Sequence, residues 1–269
     1  MSFNHFGWYL DMNTALAIAS PKQEFAGKRI LVTGATGSFG RATVAQLADA
    51  GAELTLCARN AEKLEELAKS LPGKHKIAAF DFTNSDSVPD WLRGLTEDDG
   101  PFSGIAHLAG VCIMRPLKIL NSDLIDQTLN INVVSAIMLG KAFRQKICHT
   151  AGASFVLVSS TSSFKAGGGN IAYAASKGAV TAATKAMAHE LLRDKIRVNC
   201  IVPALVESDM ASRMEHSMPT EIWQTIKNTH PLGMGSCTDI AYAVEYFLSG
   251  KSRWSTGTAL VMDGGLSIV

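Results

Sequence analysis

Little in this chain would send it to a membrane, a nucleic acid or a metal ion. Its 25 lysines and arginines face 24 acids for a net charge of +1, so no field of one sign draws it to polyanions or to an acidic lipid surface. No apolar run approaches the ~20 residues that span a bilayer. Charged residues make up 18% of the chain, too few for one that stays solvated and unfolded. There are only five cysteines, Cys57, Cys112, Cys148, Cys200 and Cys237. They are odd in number, widely spaced and without a C-x-x-C pair, and H-E-x-x-H is missing too. These absences exclude the common zinc spacings and predict no metal site. The thiols read as small buried side chains kept reduced in the cytoplasm. The start has no basic stretch ahead of a long apolar one, so no signal peptide is expected.

What is present is an apolar fraction of 47% over 269 residues, enough for one large α/β domain. Residues 1–25 stand apart as an extension. Phe3, His5, Phe6, Trp8 and Tyr9 crowd there, and docking on this subunit or a neighbour is expected of them. From residue 26 to 269 the pattern is that of a single domain. Short apolar runs at Ile30–Val32, Glu53–Ala58, Lys76–Phe80, Gly104–Leu108, Ser154–Ser159, Arg197–Val202 and Ala259–Met262 read as strands. Helical stretches alternate with them: one ending near Ala50, then Ala61–Leu71, Ser122–Ile147, Ile171–Leu192 and Thr238–Leu248. Ser85–Leu95 reads as a poor helix broken by Pro89, and Ala204–Cys237 as irregular. Such alternation predicts a parallel sheet covered on both faces.

Two stretches carry chemistry. After the first strand comes Thr33-Gly34-Ala35-Thr36-Gly37-Ser38-Phe39-Gly40, and a helix follows. Glycines at such a strand–turn–helix junction let the backbone approach a pyrophosphate, and the helix start faces it with free N–H groups. At the end of the second strand, where an acid would hold a ribose 2′-hydroxyl, the chain has Cys57-Ala58-Arg59-Asn60. Arg59 there favours NADP(H), with NAD(H) as the second choice. The other stretch runs from Ser160 to Lys177. Tyr173 and Lys177 lie four apart, on one face of a helix. An ammonium beside a phenol lowers its pKa from near 10 toward neutrality, and such a tyrosine passes protons to and from a carbonyl or alcohol oxygen. Ser160, closing a strand just upstream, is placed to hold the same oxygen. Ser162 and Ser163 are nearby alternatives.

Further markers fall in order along the chain: Asp81 after the third strand, Asn132 in the long helix, Arg197-Val198-Asn199 before Pro203, then Thr256-Gly257 and Asp263-Gly264-Gly265. Tyr173 follows Ser160 by thirteen residues. With these the chain resembles the short-chain dehydrogenase/reductase family, in its one-domain 3-oxoacyl-reductase-like type, from about Gly27 onward. The resemblance implies a three-layer, doubly wound α/β Rossmann fold with a parallel seven-stranded sheet in the order 3-2-1-4-5-6-7 and helices on both faces. It implies an oxidoreductase moving a hydride between NADP(H) and a carbonyl or secondary alcohol. Tyr173 would be the acid/base, and Lys177 would lower its pKa and hold the nicotinamide ribose. Ser160 would orient the substrate oxygen, which favours it over Ser162 and Ser163, and Asn132 would support a relaying water. The cofactor would be held by Thr33, Gly34, Thr36, Gly37, Ser38, Phe39, Gly40, Arg59, Asp81, Phe82, Ala109, Gly110, Pro203, Val206 and Ser208, together with Tyr173 and Lys177. A homotetramer or homodimer is implied, built on the long helices. The alanine-rich Ile171–Leu192, whose small side chains permit close approach, suits that use.

The chain departs from the family pattern in three places. Ser38 stands where a second glycine is usual, His107-Leu108-Ala109-Gly110 replaces N-N-A-G, and Ala204 replaces part of a Pro-Gly pair. The first two spellings are similar to those of the nucleotide-sugar epimerases and dehydratases, which keep their cofactor. Those enzymes carry a C-terminal substrate domain, and none is expected after Ala259–Met262. A non-catalytic dinucleotide-binding scaffold or sensor is the rival outside enzymes. His107 is expected to brace the central strands in place of an amide. Within Ala204–Cys237, Met210, Met214 and Met218 recur every fourth residue, beside Trp223 and Ile226. They suit either core packing or a flexible lid over an apolar small-molecule substrate. No arginine cluster there points to a polyanionic one.

Overall fold

The structure, a computed structural model, describes residues 23–97 and 99–269. The aromatic cluster of the extension lies outside these residues. Phe25, placed at the end of that extension, is fully buried in the core of the domain, and its N–H donates to Ala50 O at 3.0 Å.

Seven strands, β1 Arg29–Thr33, β2 Glu53–Ala58, β3 Lys76–Ala79, β4 Phe102–His107, β5 His149–Val158, β6 Arg197–Pro203 and β7 Ala259–Met262, form one sheet. Its order is β3-β2-β1-β4-β5-β6-β7 and every pair is parallel. The period-2 alternation of strand side chains divides the core into two layers. Leu31, Ile105, Phe155, Leu157, Val198 and Cys200 face one side, while Ile30, Val32, Leu56, Ala106, Val156 and Ile201 face the other. The first layer packs on α3 (Val88–Glu97), α5 (Ser135–Phe143) and α6 (Ile171–Leu191). The second packs on α1 (Ser38–Asp49), α2 (Ala61–Ser70) and α9 (Cys237–Leu248). Burial on both faces is why the central strands are nearly continuous in apolar residues.

The structure differs from the sequence expectation in three elements. Pro89 does not break a helix: it is the second residue of α3, in the first turn, where a missing N–H costs nothing. The helix expected over Ser122–Ile147 is α4 (Ser122–Leu129), a π-helical turn (Asn130–Val134) and then α5, ending at Phe143. The stretch expected to be irregular holds α7 (Asp209–His216) and α8 (Thr220–Asn228). Ser208 caps the former, its hydroxyl accepting from Ala211 N–H. Met218 therefore falls between the two helices, and only Met210 and Met214 share a face. Among the described residues no helix is long and apolar enough to cross a membrane, and no cluster of metal-ligating side chains occurs.

Candidate active site

The sheet order reverses direction between β1 and β4, and in such sheets a crevice opens beyond the carboxyl ends of the strands at that point. A cavity of about 520 Å³ lies there, lined by the segments that follow β1, β4, β5 and β6 and by side chains of α6 and α7. Of the residues expected to serve the site, it brings together Gly34, Gly37, Ser38, Phe39, Gly40, Arg59, Gly110, Ser160, Tyr173, Lys177, Pro203, Val206 and Ser208.

One end of the cavity suits a phosphate. Gly37 is the N-cap of α1 and offers no side-chain acceptor, so the first helical N–H groups keep their hydrogens for a ligand. Gly34 has φ +66°, and a side chain on it would meet Ala109 N at 2.7 Å; the turn is pressed directly against the segment after β4. The glycine turn and uncapped helix fit a dinucleotide pyrophosphate. Arg59 lines the same cavity from the end of β2 and is exposed.

The remaining expected cofactor residues, Thr33, Thr36, Asp81, Phe82 and Ala109, do not line the cavity. Thr36 presents its carbonyl to Arg41, and Asp81 accepts from Thr83 N–H at 3.0 Å. The Phe82 ring is buried in the core, edge-on to Trp91 and to His107 at 5.2 Å, which leaves its backbone as the part that could meet a cofactor. Thr33 and Ala109 belong to a buried brace. Ser135 gives its one hydroxyl proton to Ile131 O at 2.5 Å, so His107 donates to Ser135 through Nε2 (3.2 Å). His107 Nδ1 is then left to accept from Thr33 Oγ1 (2.8 Å), and Thr33 Oγ1 accepts from Ala109 N–H (3.3 Å). Burial, with Lys177 as a smaller contributor, holds the imidazole down to about 3. Its folded pKa lies below the ordinary 6.5, so the stability that rests on neutral His107 is fully present above about pH 6.5 and drains away as pH falls toward 3. Melting temperature should decline over that window, and His107→Asn should flatten the decline. Identical pH profiles for the two proteins would refute the brace as its source.

The other end of the cavity handles protons. The π turn sets Asn132 inward. Its Nδ2 donates to Val111 O and to Ser176 Oγ, both at 2.9 Å, and its Oδ1 accepts from Val111 N–H at 2.8 Å. It thereby ties the segment after β4 to α6 from just behind the cavity. Lys177, almost fully buried, donates through Nζ to Val158 O at 2.8 Å, with Nζ 5.6 Å from the centre of the Tyr173 ring. Burial dominates both groups here. It pushes the Tyr173 phenol up to about 12, with Cys112 adding to the rise and a hydrogen bond with Ser160 opposing it, and it brings Lys177 down to about 8. The expected fall of the tyrosine pKa toward neutrality is thus corrected: the ammonium is engaged by a carbonyl oxygen, and desolvation outweighs its attraction for a phenolate. Ser162 and Asn170 also line this end, whereas Ser163 does not.

Sequence reasoning missed several residues of the site. Asp209, the first residue of α7, accepts from Arg41 at 3.0 Å, and its N–H donates to Ser38 Oγ at 2.9 Å. The serine in place of a glycine therefore ties the phosphate turn to the helix above the cavity. Ser176, Cys112, Met114 and Arg213 were missed as well. Arg213 is four residues after Asp209, on the turn above it, a spacing that becomes readable only once α7 is recognised as a helix.

The family described as enoyl-(acyl carrier protein) reductase matches residues 34–267. D-erythrulose reductase of Gallus gallus is 31% identical over 252 residues, covering 92% of this chain and 99% of its own length. Carbonyl reductase [NADPH] 2 of Sus scrofa is 31% identical over 246 residues, covering 91% and 98%. Among solved structures, a short-chain type dehydrogenase/reductase from Mycobacterium ulcerans superposes with a TM-score of 0.84 at 27% identity, covering 91% of each chain. The chain belongs to the short-chain dehydrogenase/reductase family and is an NAD(P)-dependent enzyme of alcohol and carbonyl groups.

Proposed function

We propose that the protein is an NADP(H)-dependent carbonyl reductase in which Tyr173 is the acid. What carries the reading is one juxtaposition: the Tyr173 phenol and the Ser160 hydroxyl line the same cavity as the glycine turn and Arg59. When bound, the dinucleotide supplies or accepts the hydride at its nicotinamide. Gly34 to Gly40 and the start of α1 hold its pyrophosphate. Arg59 would pair with the 2′-phosphate. Pro203, Val206 and Ser208 would bound the nicotinamide end, and Lys177 would meet the ribose. Ser160 donates a hydrogen bond to the carbonyl oxygen of the substrate. Tyr173, protonated at neutral pH because its pKa lies at about 12, gives its proton to that oxygen as negative charge develops there. Asn132 holds the segment after β4; both of its amide hydrogens are taken, so toward a relaying water it offers only a lone pair of Oδ1.

The name of the Sus scrofa relative includes NADPH, which supports the cofactor choice. Arg59→Ala should raise KM for NADPH by about ten- to a hundredfold, the equivalent of one charge-assisted hydrogen bond, and that for NADH far less. Equal effects on the two would overturn the role of Arg59. An assay of NADPH and NADH oxidation over ketones, 3-oxoacyl thioesters, quinones and sugars tests the whole reading; binding of cofactor without turnover of any carbonyl would point to a scaffold instead. Self-association through α5 and α6 is the companion inference. Ala175, Ala182 and Ala186 lie exposed on one face of α6, and Val134 and Ile137 are exposed beside them in the preceding helical stretch. The five free thiols suit a reducing compartment such as the cytoplasm.

A further inference from the structure

Charged side chains are few along the cavity wall: Arg59, Lys177, Asp209 and Arg213. Three of them have partners or a role. Asp209 is paired with Arg41, Lys177 donates to Val158 O, and Arg59, at the end of β2, is the residue proposed above for the 2′-phosphate of the dinucleotide. Arg213 is different. Among the described residues its guanidinium makes no ion pair and no side-chain hydrogen bond. It projects from α7, on the helix turn after Asp209, and its charge is felt at the Cys112 thiol, the same thiol that acts on Tyr173 and Lys177. Its charge is felt at Asp209 as well, so the cation stands between the phosphate turn and the proton-transfer end, on the wall of the cavity that Ser160 and Tyr173 also line. The wall around it is largely apolar, with Met114, Met210, Met214 and Leu266.

We propose that Arg213 selects substrates that carry one anionic group on an otherwise apolar chain, that is, oxo acids whose carboxylate meets the guanidinium while their carbonyl lies at Ser160 and Tyr173. This deepens the reductase reading above and rests on it. Arg213 is itself exposed at the mouth of the cavity, but a guanidinium offers a fork of donors that matches a carboxylate and can hold one there in a fixed orientation. One arginine matches one anion, which agrees with the lack of a basic cluster for polyanions. A phosphate monoester presents the same kind of group, so the source of the anion is an arm of the test.

The experiment compares 4-oxononanoate, its methyl ester and dihydroxyacetone phosphate as substrates with NADPH, for the wild type and for Arg213→Gln and Arg213→Lys. The wild type should turn over the acid with a kcat/KM at least about tenfold above that of the ester, as expected for a charge-assisted hydrogen bond. Arg213→Gln should collapse the acid-to-ester ratio toward unity, chiefly through KM, and Arg213→Lys should restore part of it. Calorimetric titration of 4-oxononanoate into the protein should show the same loss of affinity in Arg213→Gln. A ratio near unity in the wild type, or one that Arg213→Gln leaves intact, overturns the proposal. A preference for dihydroxyacetone phosphate over 4-oxononanoate overturns the carboxylate assignment. If the wild type oxidises NADPH with none of the wider carbonyl panel, the reductase reading itself has failed, an outcome distinct from reduction without charge selectivity.

Discussion

Tyr173→Phe should abolish turnover in a protein that still folds and still binds NADPH. The substitution removes one oxygen from a half-buried ring and leaves the ring in place. Ser160 loses its hydrogen bond with the phenol but keeps the one from Ser162 N–H at 3.2 Å, and because it lines the cavity solvent can replace the lost partner. What disappears is the proton donor. Reduction places negative charge on the carbonyl oxygen, and a phenol with a pKa of about 12 holds its proton until that charge develops. Positioned acid–base groups contribute about 10²–10⁴-fold to rate, and in a site with no second acid beside the oxygen the loss of kcat should lie at the upper end. Single-turnover NADPH oxidation measures the loss, and fluorescence titration with NADPH checks that the cofactor site survives. A variant that keeps a tenth or more of wild-type kcat would remove Tyr173 from the role of acid.

Gly40→Ala should be the most damaging single-methyl change at the cofactor end. A side-chain carbon on residue 40 would stand 2.1 Å from the carbonyl oxygen of Gly34 and 2.7 Å from both Cα and the carbonyl carbon of Ala35. All three are backbone atoms, so no side chain can swing aside, and the turn must open. Opening it shifts Gly34, which is itself pressed on Ala109, and swings the start of α1 away from the pyrophosphate position. Overpacking of this kind costs about 1–3 kcal/mol or more, which corresponds to a fall in Tm of roughly 3–10 °C for a chain of this size. NADPH affinity should fall by more than tenfold, since the N–H groups that meet the phosphates are displaced together. Gly37→Ala is the comparison: its added carbon meets only Gly34 O, at 3.3 Å, and its effect should be smaller on both counts. Wild-type melting and NADPH affinity in Gly40→Ala would show that the turn is not the rigid cradle described.

The strands were legible because burial on both faces writes each as an apolar run, and the turns between them as breaks. The glycine turn and Tyr173 with Lys177 were legible because fixed local spacing carries their chemistry. What escaped was whatever depends on contacts distant in sequence. Nothing local in Asn130–Val134 signals a π turn; it becomes visible only when Asn132 is seen holding Val111 and Ser176. Pro89 misled because a proline signals a break in the middle of a helix and a start at its first turn, and the difference lies in where the helix begins. The pKa of Tyr173 was misjudged because helical spacing reports proximity to Lys177 and is silent about burial and about Val158 O. The H-L-A-G spelling does not show what His107 is bonded to, because its partners Thr33 and Ser135 lie far away in sequence.

That trio also bears on how the sequence can change over time. The hydrogen bonds run one way, from Thr33 through His107 and Ser135 to Ile131 O, so exchanging any one member strands a buried neighbour. An asparagine at position 107 would arrive to find a threonine and a serine spaced for an imidazole. Mutational paths to the amide-bearing spelling therefore pass through a less stable intermediate unless positions 33 and 135 change with it. The inherited unit is the trio, and substitution effects within it should be epistatic, not additive.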